Sequence, residues 1–391
     1  MTSELENELE RKGTPDPPTI GLEEEFFLAD RETRATVGRA PDVVKRARQC
    51  LGDQAGFELY PTIVETRTRP VGTLAELRQQ LQWLRAGLGR AAAEAGCRVV
   101  ASGTEIIPVT GPQPIVDDPR YWQLADRYPQ FVGGDRSIAS CACHIHIHAP
   151  DREEAVELLN HLRPWLPTLQ AIAANSPFRD GRDSGFASWR SLHFGQWPHV
   201  GPTPLLRDTA AYDSLLDALV ESGMLFDRRH LYWYARLSER WPTLEIRLPD
   251  INADLDTVLF VACLARALVG VLLADVRRGA PAPGISDPLL RAAHWRAARD
   301  GVRGSGLDLF TGRLRPFPDL AVRLIDRVAP ALEETGALHF VRHTWQRLHA
   351  SGGGAEEQRA AYRRRGDLRD VVDLLTVAGG SGESEADAPS P

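Results

Sequence analysis

Two glutamates alternate along "TIGLEEEFFLAD" (residues 19–30), Glu23 and Glu25, and three histidines alternate along "CHIHIH" (143–148). On an extended chain alternate side chains share a face. His144, His146 and His148 therefore project together, as do Glu23 and Glu25, while Glu24 turns the other way and needs its own partner, an arginine or solvent. "FELYPTIVETRT" adds Glu58 and Glu65 on two short stretches separated by a proline break, and "TLEIRL" adds Glu245 and Arg247 on one face with Leu244, Ile246 and Leu248 behind. Laid side by side, these segments would give one sheet face five carboxylates, two or three imidazoles and an arginine. Burying so many like charges unpaired is unfavourable, and divalent cations neutralise them. Oxygen ligands with one imidazole suit Mg²⁺ or Mn²⁺, and Mg²⁺ characteristically bridges protein carboxylates to substrate phosphates. Such a face points to phosphoryl transfer from a nucleotide.

Taken singly the motifs are ordinary. A Glu-x-Glu strand is usually a solvated face, and Glu245 with Arg247 could be an exposed ion pair. The three-histidine face is less ordinary. It admits a second chemistry, a zinc hydrolase with His144, His146 and His148 as ligands, which leaves Glu23, Glu25, Glu58 and Glu65 without a task. A non-catalytic sensor that binds nucleotide without cleaving it is a third possibility.

The elements that must position these residues alternate along the chain. Strands are expected at 19–29, near 56–69, at 97–105, 142–150 and 243–250. Helices are expected near 41–51, at 73–96 behind a Thr73 N-cap, around 152–174 with a break near Pro164, and at 254–277, a long core helix. Alternating polar faces suggest an antiparallel sheet with a functional polar face and helices on the other. "NSPF" (175–178) and "GRDSG" (181–185) read as turn-rich loop, a natural lid or recognition element. Trp189, Phe194 and Trp197 either wall a pocket there or pack the loop down. Residues 351–367 read as a flexible surface segment ahead of a last short helix. Composition marks 1–18 as a disordered leader and 378–391 as a disordered tail, leaving 19–377 as a single catalytic domain.

The 391 residues carry a net charge of −7, which gives no footprint for nucleic acid. Five cysteines form no disulfide framework and fit a reducing cytoplasm. The most apolar stretch holds Arg266 at its centre and reads as core rather than membrane span. Of the 46 basic residues only Lys12 and Lys45 are lysines. That excludes a P-loop, the protein-kinase strand lysine and Schiff-base catalysis. Phosphate must be met by arginine, backbone or metal.

"IGLEEEFFLAD", "CHIHIHAPD", "AANSPFRDGRDSGFASWR" and "PTLEIRLPD", in that order, resemble the carboxylate–amine ligase group of the second glutamate–cysteine ligase family, over about residues 19–350. The resemblance implies an α+β fold, an antiparallel β-sheet funnel of the glutamine synthetase/glutamate–cysteine ligase type covered by helices on one face. It implies that ATP phosphorylates the γ-carboxylate of glutamate, giving an acyl phosphate that an amine attacks. By motif position, Glu25, Glu58 and Glu65 would hold one Mg²⁺, while Glu23, His144 and Glu245 hold another, with His146 beside the nucleotide phosphates. Arg247 would neutralise the transferring phosphoryl group. Arg236 and Arg190 would clamp phosphate or substrate carboxylate, and Asn175, Arg182 and Trp189 would belong to substrate recognition. The implied partners are small molecules, ATP, an acid and an amine, with a homo-oligomer compatible and neither nucleic acid nor membrane expected. Departures from the family pattern fall on what should be the substrate side: His148, "GQWPHVGP" (195–202), Tyr234 and Leu237 in "YWYARLSE", and "HWRAARDG" (294–301). They leave the identity of the amine, and of the acid, open.

Overall fold

The computed structural model describes residues 17–108, 113–132 and 139–377. Its strands are β1 (Ile20–Asp30), β2 (Ala55–Phe57), β3 (Ile63–Arg67), β4 (Cys97–Val100), β5 (Cys143–His148), β6 (Phe178–Arg179), β7 (Arg182–Asp183), β8 (Ala235–Leu237), β9 (Thr243–Ile246), β10 (Ser305–Asp308) and β11 (Arg313–Pro316). Seven of them form one antiparallel sheet in the order β2-β3-β1-β5-β9-β8, with β4 also paired to β1. Glu23 pairs with both Arg67 of β3 and His144 of β5, so these strands lie on opposite edges of β1. β4 takes up the second half of the β5 edge, opposite Phe27 to Asp30.

Register carries the alternation of β1 across the sheet. Leu22, Ile145, Ile246 and Ala235 form one apolar row, all buried. Helices close over this face. Leu74–Glu94 begins with a capping box in which Thr73 and Glu76 satisfy each other's backbone N–H groups. Leu255–Arg277 begins at Asp254, whose carboxylate accepts from Thr257 N. This second helix is apolar and long enough to cross a membrane, but it packs inside the core against β5 and the helices Arg152–Leu162, Phe317–Glu334 and Leu338–Ser351. Its Arg266 donates to the carbonyl of Pro18.

Glu24, turned to this apolar face, has an arginine. Arg85 from the helix Leu74–Glu94 grips it with two bonds, Nε to Oε2 at 3.0 Å and Nη2 to Oε1 at 2.6 Å, and both side chains are buried. Nη2 and Nη1 also donate to the carbonyls of Asn252 and Ala253.

Several boundaries differ from the sequence expectation. The strand predicted over 97–105 ends at Val100, and the one predicted over 243–250 ends at Ile246. Residues 351–367, expected to be flexible surface, instead contain the helix Gly353–Arg365. Gly352 and Gly353, both at positive φ, turn the chain tightly between two helices. Gly354 then lies so close to Asn175 that a Cβ would sit 2.2 Å from its Oδ1. The glycines serve close packing here. The predicted leader, apart from residues 17 and 18, and the predicted tail lie outside the described residues.

Candidate active site

Cross-strand partners share a face, so the register names the members of the polar one. Arg67, Glu23 and His144 form one row; Gly56, Glu65 and Glu25 the next; Gly21, His146, Glu245 and Arg236 a third. Glu25 is fixed at both ends to the chain entering β5, its N–H donating to Ala142 O and its Oε2 accepting from Ala142 N at 2.7 Å. Glu58 joins from the turn after β2 and shares a hydrogen bond with Glu65.

The charges fall into two groups along this face. In the first, Glu23, His146 and Glu245 each bring a ligand atom within 4.8 Å of the others. His146 Nδ1 contacts Thr243 Oγ1 at 2.9 Å, which points Nε2 at Glu23 Oε1, 3.6 Å away. That Nε2 is buried and has no hydrogen-bond partner among the described residues. Glu245 is held by a bidentate Arg236 (Nε to Oε2 2.8 Å, Nη2 to Oε1 3.3 Å) and by Arg247 Nη1. Arg236 is in turn fixed by Arg229 O and Leu231 O. Burial works against the charge on Glu245, but the two guanidinium groups outweigh it and hold the carboxyl well below the usual range. For Glu23, burial is likewise overcome by the two neighbouring imidazoles, His144 and His146.

The second group, Glu25, Glu58 and Glu65, has too little positive charge. Burial, reinforced by the charge of Glu25, pushes Glu58 up to about 7. Burial and the charges of Glu23 and Glu58 raise Glu65 well above the carboxylate range. His144 lies between the groups, Nδ1 3.3 Å from Glu23 Oε2 and Nε2 3.9 Å from Glu25 Oε1. Burial, then Arg247, lowers its pKa.

The structure thus brings together Glu23, Glu25, Glu58, Glu65, His144, His146, Glu245, Arg236 and Arg247. Of the expected Glu23, His144 and Glu245, His144 lies beside Glu23, while register sets His146 opposite Glu245. His148 sits at the exposed end of β5, and among the described residues the three histidines form no common metal cluster.

The loop residues assigned to substrate recognition lie elsewhere. Arg190 is buried, with its guanidinium donating to Leu248 O at 3.0 Å and Arg247 O at 3.1 Å and lying 3.5 Å from Asp250. Asn175 bonds Ala101 O, Ile251 O and Gln358 behind the sheet. Ser176 and Ser188 both donate to Asp250. The "ANSPF…SWR" segment therefore builds a buried polar hub on Asp250 that fixes the chain leaving β9. Arg182 is exposed on β7, and Trp189 packs under Arg179 (4.5 Å to the ring centroid) and beside Phe186. Phe194 and Trp197 join an aromatic cluster with Tyr232.

Two tyrosines that alternation could not reveal border the charged face. Tyr232 lies with its ring 5.5 Å from Arg247 Cζ. Tyr121, on the helix Pro119–Arg127, has its phenol raised by burial and by the charges of Glu58 and Glu65, which places it beside the second group.

A model of the glutamate–cysteine ligase family 2 matches residues 19–374. A relative from Salinispora arenicola, provisionally named glutamate–cysteine ligase 2, is 44% identical over 360 residues, covering 92% of this chain and 94% of its own. One from Salinispora tropica, of the same provisional name, is 43% identical over 368 residues, with 93% and 96% covered. The crystal structure of a glutamate–cysteine ligase from Francisella tularensis in complex with AMP superimposes with a TM-score of 0.68, at 11% identity, over 93% of this chain and 88% of that one. At that identity the likeness establishes a shared fold. With the family model and these relatives, the acid-faced antiparallel sheet is that of a carboxylate–amine ligase. Within that class, the chain belongs to the glutamate–cysteine ligase family 2.

Proposed function

We propose that the protein is an ATP- and Mg²⁺-dependent ligase that phosphorylates the γ-carboxylate of glutamate, or of a similar acid, and condenses the acyl phosphate with an amine. The observation that carries this reading is the pair of acidic groups on one sheet face, the first joined to two arginines and the second short of positive charge. The fit to divalent cations rests on chemistry: among the described residues His146 Nε2 is orphaned between Glu23 and Glu245, and burial together with neighbouring carboxylate charge raises Glu58 and Glu65. Glu23, His146 and Glu245 would hold one ion, with His144 beside them, and Glu25, Glu58 and Glu65 a second. Bound there, Mg²⁺ would neutralise phosphate charge and orient the nucleotide.

The chain's own groups would do the rest. Arg247 keeps a buried Nε without a partner among the described residues and lies where charge on a transferring phosphoryl group could be met. Arg236 locks Glu245 in its ligating orientation. Tyr121 and Tyr232 wall the site. The Francisella enzyme of the same fold binds AMP, in keeping with a nucleotide here. Residues 19–377 act as one catalytic domain, and five free cysteines suit a cytoplasmic setting.

ADP formation with glutamate and a panel of amines tests the reading. Amine-dependent turnover is expected with at least one member; none on the whole panel, with other acids also tried, would refute it.

The metal-free protein has a defined pH dependence. Folded-state pKa values of Glu58 and Glu65 lie above those of the unfolded chain, so the native state binds more protons in that window. Stability then falls as pH rises from the ordinary carboxylate range through about 7. Thermal unfolding in EDTA is expected to show a declining Tm across this window. Millimolar Mg²⁺ should flatten the decline, and an equal slope with and without Mg²⁺ would count against the second metal set. Arg247→Lys tests the phosphoryl role separately. A point charge cannot reproduce the guanidinium fork, so kcat should fall about 100-fold with little change in Tm, since removing one such electrostatic stabiliser typically has that effect.

A further inference from the structure

Past the named end of β9 the pairing with the β8 side continues for one more residue. Arg247 N–H donates to Tyr234 O at 2.9 Å, directly ahead of β8. Trp233 and Ala235, on either side of Tyr234 in the chain, are buried in the core. Alternation therefore turns the Tyr234 side chain to the charged face, beside Arg247. His294 packs on its ring, with centroids 4.5 Å apart, and is itself fixed by Gln170 Oε1, 2.6 Å from His294 Nδ1. Burial pushes His294 down to about 3, so this imidazole is neutral. Both Tyr234 and His294 fall where the chain departs from the family pattern.

Three donors around this phenol have no acceptor among the described residues. The half-buried Tyr234 hydroxyl makes no hydrogen bond there. Arg190 spends Nη1 and Nη2 on Leu248 O and Arg247 O, and its buried Nε has no partner. Arg291, on the helix Asp287–Asp300, has neither a hydrogen bond nor an ion pair. Its guanidinium nitrogens lie 3.7 Å from where a Gly201 Cβ would stand, and Gly201 O accepts from Tyr234 N. Burial raises the Tyr234 phenol, and the charges of Arg291 and then Arg190 act against it. The carboxylate beside Arg190, Asp250 at 3.5 Å, is already engaged by Ser176, Ser188 and the Asn175 N–H. Donors in excess of acceptors, two of them guanidinium groups, suit an anion with paired oxygens.

We propose that Tyr234, Arg291 and the Nε of Arg190 form a subsite for a carboxylate that a substrate carries but does not spend in the reaction. The inference rests on the ligase reading above. It adds a substrate class: either the acid is a dicarboxylic one, or the amine is an amino acid.

Steady-state kinetics on an acid–amine pair that turns over carries the test. Each member is compared with an analogue lacking the spare carboxylate, used as substrate or competitive inhibitor, as 4-aminobutyrate is for glutamate and cysteamine for cysteine. Arg291→Ala is expected to raise KM about tenfold or more for the carboxylate-bearing member. Its kcat should fall no more than about threefold, because the contact persists from ground state to transition state. The same substitution should shift the constant for the analogue by less than about twofold. Arg291→Lys should restore part of the loss, and Tyr234→Phe should raise the same KM about threefold by removing one hydroxyl donor. The arm that responds, acid or amine, identifies the source of the carboxylate. An unchanged KM in Arg291→Ala, an equal rise for substrate and analogue, or a working pair without a spare carboxylate would each overturn the proposal. No ADP formation by the unsubstituted enzyme with any pair would instead refute the ligase reading itself.

Discussion

Glu23→Gln is expected to lower ADP formation about 10³-fold, the equivalent of about 4 kcal/mol in the barrier, with Tm changed by no more than a few degrees. Among the described residues Glu23 is the one carboxylate that pairs with both His144, at 3.3 Å, and His146, at 3.6 Å. The amide keeps the shape and one acceptor oxygen but removes the negative charge that a divalent cation needs. The histidines lose a partner but keep their packing, which is why the fold should survive. Raising Mg²⁺ should recover part of the lost rate, since weakened metal affinity is the cause. Turnover within about threefold of the unsubstituted enzyme would sink the assignment of Glu23 as a ligand. Glu245→Gln is a poorer probe of the same idea. That carboxyl is buried beneath Arg236 and Arg247, and neutralising it leaves two guanidinium groups uncompensated, so activity and stability fall together.

How far the site could be read from sequence depends on whether a feature is local. The side a residue takes on a strand is decided by the strand itself, so period two sufficed to put Glu23 and Glu25 on one face and Glu24 on the other. Register is not local. Nothing within "HIHIH" or "LEIR" says which histidine faces Glu245, and the structure selects His146 because β5 and β9 pair in that register. Tyr121 lies on a helix and Tyr232 in an irregular stretch before β8, so neither belonged to any alternating pattern. The loop motif "ANSPF…SWR" shows a second limit. Its polar residues suggested contact with substrate, and the structure adds a task that the motif did not reveal: Asn175, Ser176, Ser188 and Arg190 hold the chain around Asp250. Buried polar networks and binding sites draw on the same residue types, and only burial separates them. The run "SGGG" shows the same limit: glycine signals backbone freedom in sequence, while here it permits close approach of a helix to Asn175.

Arg85→Ala is expected to destabilise the protein by about 3–5 kcal/mol, the range for removing one partner of a buried ion pair. Glu24 is fully buried on the helix-covered face of the sheet, and the substitution strands its carboxylate there. Protonation of Glu24 would relieve part of the penalty, so the loss should shrink as pH is lowered toward the carboxylate range. Arg85 also satisfies Asn252 O and Ala253 O, two and three residues beyond the hub at Asp250. The double variant Glu24→Leu with Arg85→Leu therefore recovers only part of the stability: the charge problem disappears, but two carbonyls remain without their donor, at about 1–3 kcal/mol each. Urea unfolding of the single and double variants separates the two contributions. Full recovery in the double variant would show that the carbonyl bonds contribute nothing, and a single variant within about 1 kcal/mol of the parent would show that Glu24 finds water or another cation. On the present geometry the arginine does two tasks, holding a charge that the sheet's alternation forces inward and tying the helix Leu74–Glu94 to the segment that leaves the active strand β9.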